Sequence, residues 1–577
     1  MFQRTPTVSL WMQGLGLAAA SAALVACSAL PGPPPSPMKA ATGASLQQCA
    51  ALATQFSFEQ TRIDSATPEA AGILVLGGSP VPAHCLVKGR MHPRKGSDGR
   101  DYAIAFEMRL PLAWNGRFYY QGNGGLDGAV QPAQGALGGG PFTGALLQGF
   151  AVISSDAGHT GAQTPFFGME PQARLDYGYQ AVATLTPMAK GLIAAAYGKA
   201  PDRSYIGGCS NGGRHALVAA SRLGDQYDGY LVGAPGYRLP NAALAQLWGA
   251  QQWATVATPG ATIKHPMNPT ATLTDLGSGF TPQERQLLAS AVLDQCDALD
   301  GARDGLVQAT QACQARFNVH KDVPTCAGER NGQCLSGAQK QVIAAVFNGA
   351  KTATGQPIYA GFPYDAGVSA TNWATWKFVN ALALDPLAVG AVFSVPPGRV
   401  DPLKEDVSAR LPLFSATNDT FRESGLSLMT PPGHDNPTNL AGLRARGAKI
   451  VLFHGVSDAI FSAEDTRQWV ERLDKALDGK AADFARYFPV PGMSHCSGGP
   501  AADQFDLLTP LVQWVEQGVA PQAVPARVRG AGHAGGANTE LPKDWSASRA
   551  RPLCAYPTVA RYQGSGSLED AASFSCR

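Results

Sequence analysis

The chain has 577 residues with a formal net charge of +2, and only 15% of them are charged. No long basic run and no internal repeat is evident, which argues against a nucleic-acid partner or a polybasic membrane contact. A chain of this length buries more than one core, and one large domain carrying an insertion is the expected plan.

The N-terminus reads as a targeting segment. Arg4 supplies positive charge, and the stretch from Leu10 to Ala26 is apolar, small-residued and too short for a comfortable membrane span. Leu24-Val25-Ala26-Cys27 has the form of a bacterial lipobox, so residues 1–27 are expected to be a lipoprotein-type signal with Cys27 as the lipidated residue. An ordinary secretory signal cut nearby is the alternative. Either way the protein is expected to be exported, to the periplasm, outer membrane or cell surface as a lipoprotein, or secreted. The proline-rich stretch 28–45 is expected to be a disordered tether.

Next, Tyr102 to Leu110 alternates as a strand, and Trp114 to Tyr120 reads as another that ends in the glycine-rich loop Gln121-Gly122-Asn123-Gly124-Gly125. Phe150 to Asp156 is a further buried strand, and His159 behind it reads as structural. Arg203 to Gly207 is strand-like and Gly213 to Leu223 helical. Between them lies Gly208-Cys209-Ser210-Asn211-Gly212, of the form Gly-x-Ser-x-Gly. Strand, sharp turn and helix are the setting of a nucleophile elbow, in which a strained turn exposes the serine hydroxyl. In a chain with 66 glycines the motif alone is weak evidence.

A serine hydroxyl needs a base, and the base an orienting acid. Lys449 to Phe453 reads as a buried strand running into His454-Gly455-Val456-Ser457-Asp458. Ala485 to Val490 reads as the next, leading to Pro491-Gly492-Met493-Ser494-His495-Cys496. The order Ser210, Asp458, His495, with acid and base just past strand ends, is that of an α/β-hydrolase. In that fold the residue after the nucleophile, here Asn211, gives one oxyanion donor, and an early glycine-rich loop gives the other. The roughly 200 residues between Tyr237 and Lys449 are too many for a loop and read as an inserted lid. The expected domains are therefore a catalytic domain of residues 46–240 and 441–577 around a lid of residues 241–440. The tail after Gly518 reads as loops until Cys554.

The eleven cysteines include Cys27, whose removal leaves an even set. Cys209 and Cys496 adjoin two residues that must touch, which brings them within disulfide reach. Connectivity among the rest is open, with nearest-neighbour pairing giving Cys49–Cys85, Cys296–Cys313, Cys326–Cys334 and Cys554–Cys576. In Asp297-Ala298-Leu299-Asp300-Gly301-Ala302-Arg303-Asp304-Gly305-Leu306 three carboxylates sit among curling glycines. Spacing alone leaves a solvated turn and a calcium loop both open.

Together, Tyr205 to Ser210, Gly233-Ala234-Pro235-Gly236-Tyr237, Cys296 to Gly301, His454 to Asp458 and Pro491 to Gly499 resemble the tannase and feruloyl esterase family, a likeness that spans nearly the whole chain after the leader. The resemblance implies a serine esterase acting on small aromatic esters, feruloyl or galloyl esters for instance. Ser210 would be the nucleophile, His495 the base and Asp458 its orienting acid, with Gly125 and Asn211 as oxyanion donors. It implies a structural calcium on Asp297, Asp300, Asp304 and the carbonyls of Ala302 and Leu306, and its disulfide pattern agrees with the nearest-neighbour pairing. Leu239, Ser369, Trp376 and Phe461 match substrate-pocket positions of the family's terephthalate-monoester hydrolases. Those enzymes clamp a substrate carboxylate with a lid arginine. No arginine occurs here from Lys377 to Phe393, which leaves Lys377 as a point charge and Arg399 and Arg410 further on. Neutral phenolic esters are thus the expected substrates, terephthalate monoesters the alternative, and a non-catalytic binding protein or a transacylase the other readings. The protein is expected to be a monomer, with a membrane contact only through the lipid.

Overall fold

The computed structural model describes residues 38–135, 139–140, 144–433 and 440–577. The signal segment and Cys27 lie outside the described residues. Nine strands form the central sheet: β1 (Thr61–Glu69), β2 (His84–Lys95), β3 (Asp101–Pro111), β4 (Arg117–Gln121), β5 (Ala151–Ser155), β6 (Arg203–Cys209), β7 (Gly229–Gly233), β8 (Lys449–Gly455) and β9 (Ala485–Val490). Their order is β1-β2-β3-β5-β4-β6-β7-β8-β9. Pairing is antiparallel from β1 to β5 and parallel from β5 through β9. β5 and β7 are buried along their full length, as strands covered by helices on both faces must be. The sequence reading does not include β7, nor β1 and β2, which extend the sheet's antiparallel edge.

Two cores lie on the two faces, and consecutive residues feed them alternately, as the period of a strand requires. Tyr120, Ile206 and Val232 join the core that holds Ala216 and Leu217 of helix α2 (Asn211–Arg222), together with helix α1 (Ala181–Tyr197). Tyr119, Tyr205 and Leu231 join the core that holds Leu511 and Trp514 near the C-terminus. This is the expected α/β-hydrolase fold.

The insertion opens on helix α3 (Leu239–Ala254), so the expected boundary at residue 240 falls inside a helix. It continues with α4 (Pro282–Cys296), started by a capping box between Thr281 and Glu284. Its own aromatic core gathers Trp253, Phe280, Trp373 and Phe378, with ring centroids 5.4–6.4 Å apart. The segment Thr371–Phe393 bends by 42° at Leu384. The insertion does not stand apart, because residues 36–577 make up one compact unit. No single helix among the described residues is long and apolar enough to cross a membrane.

Five disulfides form, Cys49–Cys85, Cys209–Cys496, Cys296–Cys313, Cys326–Cys334 and Cys554–Cys576, with Cα–Cα distances of 5.0–6.0 Å. Such density belongs to an oxidising compartment, and the protein is exported. Two expectations need correction. Residues 38–45 are not a free tether: Ala44–Ser45 pairs with Ala113–Trp114, and the Ala41 amide donates to the buried Glu516 carboxylate at 3.1 Å. The tail is not loop alone. Ala523–Arg527 pairs with Gln504–Phe505 on one side and Ala550–Cys554 on the other in a three-stranded sheet, because Val524, Ala526 and Leu553 have apolar side chains to bury.

Candidate active site

The turn between β6 and α2 holds Ser210 at φ 65° and ψ −127°, a left-handed conformation that a side chain rarely adopts. The flanking glycines make the turn feasible. A Cβ at Gly208 or Gly212 would lie 2.4 or 2.3 Å from the Gly122 carbonyl oxygen of the neighbouring loop. The elbow is thus wedged against the glycine-rich loop that follows β4.

His495 comes to Ser210 from the loop after β9, with Nε2 2.8 Å from the serine Oγ. Its Nδ1 lies 2.6 Å from Oδ2 of Asp458, in the loop after β8. The other carboxylate oxygen of Asp458 accepts the backbone N–H groups of Ile460 at 2.9 Å and Phe461 at 3.0 Å. Burial raises the Asp458 carboxyl, but the His495 charge and hydrogen bonds with His454 and His495 outweigh it and hold the group well below the usual carboxylate range. Asp458 therefore stays ionised, as an acid must that orients an imidazole and stabilises its charge. Trp376 and Phe461 meet the His495 ring edge-on, with centroids 5.2 and 5.4 Å away, and cover it from water. The Cys209–Cys496 disulfide joins the residue before the serine to the residue after the histidine.

Gly125 and Asn211 meet Ser210 in one cleft. Gly125 has φ 62° and open space where a Cβ would be. Asp127, two residues on, accepts from the Asn211 side-chain amide and lies 3.3 Å from His215 Nε2, so it ties the loop to the start of α2. His159, read as structural, sits beneath this loop with Nε2 2.9 Å from the Leu126 carbonyl.

The cleft is also lined by Leu239, Trp376, Phe393, Ile460, Phe461 and Asp385. Three of the four expected pocket residues are therefore present. Ser369 is not: its hydroxyl donates to the Ala366 carbonyl at 3.1 Å, and it lines a separate cavity beside Asp297 and Asp304. Lys377 does not reach the cleft either. It is 3% exposed, with Nζ 3.4 Å from Gln246 Oε1 and 3.4 Å from the Phe362 ring centroid. Arg410 is occupied by Glu405 at 2.7 Å.

With this geometry in place, the comparisons decide the family. The model for tannase and feruloyl esterase matches residues 85–577. The chain belongs to the tannase and feruloyl esterase family. Like other members it is a carboxylic ester hydrolase. It is 38% identical over 537 residues to the mono(2-hydroxyethyl) terephthalate hydrolase of Piscinibacter sakaiensis, covering 86% of this chain and 85% of that one. To a probable feruloyl esterase B-1 of Aspergillus fumigatus it is 26% identical over 513 residues, covering 82% of each. Feruloyl esterase B from Aspergillus oryzae superimposes with a TM-score of 0.71 at 24% identity, covering 92% of this chain and 99% of that one, which bears on the fold.

In this family member the acidic loop is folded back on itself. Asp297 accepts the amides of Asp304 at 3.1 Å and Gly305 at 3.0 Å, and Asp300 that of Ala302 at 2.9 Å. Asp304 is held by the buried Arg551 at 2.9 Å from Nε. Among the described residues no three His, Cys, Asp or Glu side chains converge to hold an ion by themselves. An ion here would depend on the Ala302 and Leu306 carbonyls as well. The donor set fits a hard cation, since it is all oxygen and the Asp300 Oδ2 is buried without a partner. Burial, helped by the neighbouring Asp304 and Asp297 charges, pushes the Asp300 carboxyl up to about 7, a strain that a cation would relieve. The sequence reading missed Asp127, Asp365 and Asp385, which carry no motif and come to the site only through the fold.

Proposed function

We propose that this protein hydrolyses carboxylic esters of phenolic aromatic acids, of the feruloyl or galloyl kind, through an acyl-enzyme on Ser210. The observation that carries the reading is the unbroken chain from Ser210 Oγ through His495 to the buried Asp458. In the first half-reaction Ser210 Oγ bonds to the ester carbonyl carbon and its proton passes to His495 Nε2. The backbone N–H groups of Gly125 and Asn211 receive the oxyanion. His495 returns the proton to the departing alcohol as the carbon–oxygen bond breaks. Water, deprotonated by the same nitrogen, then bonds to the acyl carbon, and the acid leaves as the bond to Ser210 Oγ breaks and His495 returns the proton to that oxygen.

Acyl transfer to an alcohol instead of water would use the same intermediate, and competition between the two acceptors tells them apart. Terephthalate monoester hydrolysis is the second reading, favoured by the 38% identical relative named for that activity. Against it, no cation lines the described part of the cleft, and burying an unpaired carboxylate costs several kcal/mol. A bound calcium on Asp297, Asp300, Asp304 and the Ala302 and Leu306 carbonyls would supply positive charge that holds the loop, and the serine chemistry needs none of it. The protein acts as a monomer, and lipidated Cys27 is its membrane anchor.

The test is steady-state kinetics on methyl ferulate, methyl gallate and mono(2-hydroxyethyl) terephthalate at one pH, with Ser210→Ala alongside. The phenolic esters are expected to show kcat/KM about tenfold or more above the terephthalate monoester. Ser210→Ala is expected to lose about 10⁴-fold or more in kcat while keeping its melting temperature. A non-catalytic protein would show no difference between the two chains.

A further inference from the structure

Beyond the catalytic triad, Asp385 is the one acid or base among the described residues that line the cleft at Ser210. The remaining walls are largely apolar, with Leu239, Trp376, Phe393, Ile460 and Phe461 among them. The side chain is 5% exposed, and its Oδ2 is buried with no hydrogen-bond partner. Buried polar atoms are otherwise almost always paired, and leaving one unpaired is costly. Among the described residues, no side chain or amide of the insertion bonds this Oδ2. It sits just after the bend in the segment Thr371–Phe393, so the bend delivers it to the cleft. Among the described residues, the cation that acts on it is Lys377, whose ammonium is turned to Gln246 and the Phe362 ring and makes no ion pair with it.

We propose that Asp385 is the residue that recognises the acyl group, pairing with a phenolic hydroxyl on the substrate's aromatic ring. The inference rests on the phenolic-ester reading above and gives that reading a specific contact. Burial raises the Asp385 carboxyl, with the Lys377 charge opposing, which favours its neutral form. A neutral acid offers one donor and one acceptor, and a phenol offers the same pair, so the two satisfy each other with no charge buried. A ring that bears only hydrogen at this position leaves Asp385 unpaired, and an alkoxy group loses the donor. A substrate carboxylate brings a full charge to a wall that holds no free cation. Sites built to bond a substrate hydroxyl discriminate strongly against analogues that lack it, for this reason.

The test compares methyl 4-hydroxycinnamate, methyl 4-methoxycinnamate and methyl cinnamate on the whole protein, with the ratio of kcat/KM values as readout. A ratio within one enzyme cancels any general loss from imperfect folding. The native protein is expected to favour the hydroxylated ester by about tenfold or more. Asp385→Leu is expected to bring the ratio to about one, and Asp385→Asn, which keeps an acceptor of the same shape, to restore part of it. Asp385→Ala replaces the leucine variant if that protein does not fold. A native ratio near one overturns the role of Asp385 while leaving the esterase reading intact, as does an undiminished ratio in the leucine or alanine variant. Absence of turnover on all three cinnamates, with an aliphatic ester still cleaved, overturns the phenolic reading and this inference together.

Discussion

Asp127 has no place in the catalytic sequence of proton transfers, yet it joins the two segments that supply the oxyanion donors. Its carboxylate takes the Asn211 side-chain amide and faces His215 Nε2, while Arg214, His159 and Asp156 act on it from α2 and the loop after β5. Burial raises its pKa from 3.8 to about 7, with Arg214, His159 and the Asn211 hydrogen bond opposing. The native state therefore binds this proton more tightly than the unfolded chain does. The stabilisation is complete below about 4 and is lost as pH rises through about 7. Asp127→Asn removes that titration. Melting temperatures measured from pH 4 to 8 are expected to show the native protein's advantage over the variant shrinking as pH rises. Parallel curves would mean that Asp127 titrates normally. Its acid neighbour Asp156, also raised to about 7, shares the transition, so the midpoint belongs to the pair.

At the scale of elements, the acid and the base ride on separate loops, and one residue of the insertion holds both. Asp365 Oδ1 accepts the Ser457 hydroxyl beside Asp458, the Gly492 amide of the His495 loop at 3.0 Å, and the Gly367 amide at 3.2 Å. The insertion thus fastens the machinery as well as covering it. Asp365→Ala leaves three buried donors unpaired and is expected to cost about 3 kcal/mol of stability. It is also expected to lower kcat by about tenfold or more, since small displacements of catalytic groups are expensive. Urea unfolding and kinetics on methyl ferulate check both, and a stability loss with unchanged kcat would separate packing from positioning. The Cys209–Cys496 bridge acts in the same direction across 287 residues of sequence. Replacing both cysteines with serine is expected to reduce stability by about 2–4 kcal/mol.

Across the whole molecule, the acidic loop joins the insertion to the C-terminal sheet. Arg551 of strand Ala550–Cys554 and Arg549 just before it reach the loop at Asp304 Oδ2 and the Asp304 carbonyl, the latter at 2.7 Å. Calcium bound there only in the folded state would stabilise the whole chain by mass action. A melting temperature that falls by several degrees on chelation and returns with added calcium, and that does neither in Asp300→Asn, is the expected outcome. Identical melting curves with and without chelator, with no calcium by elemental analysis, would remove the ion from the account.

Legible in the sequence alone were strands β3 to β6, β8 and β9, the elbow, the order of acid and base, and the Cys209–Cys496 pair. These are local or ordered features: short apolar runs make strands, glycines must flank a strained serine, and adjacency to touching residues brings two cysteines together. Not legible were β7, a short run bounded by glycines, and β1 and β2, where half-exposed strands lack a continuous apolar run. The sequence also read as tether and loop the ends that fold onto the body through Glu516 and the three-stranded sheet. Inside the cleft, Leu239, Trp376 and Phe461 were legible through resemblance, whereas Ser369 and Lys377 fall elsewhere. The folded chain settles this, because a helical segment's bend sets which side chains face the nucleophile. The 42° turn in Thr371–Phe393 buries Lys377 against Phe362 and presents Asp385 instead. A lone aspartate eight residues after a lysine has no periodic or motif signal, and its meaning comes from the apolar walls that chain folding puts around it.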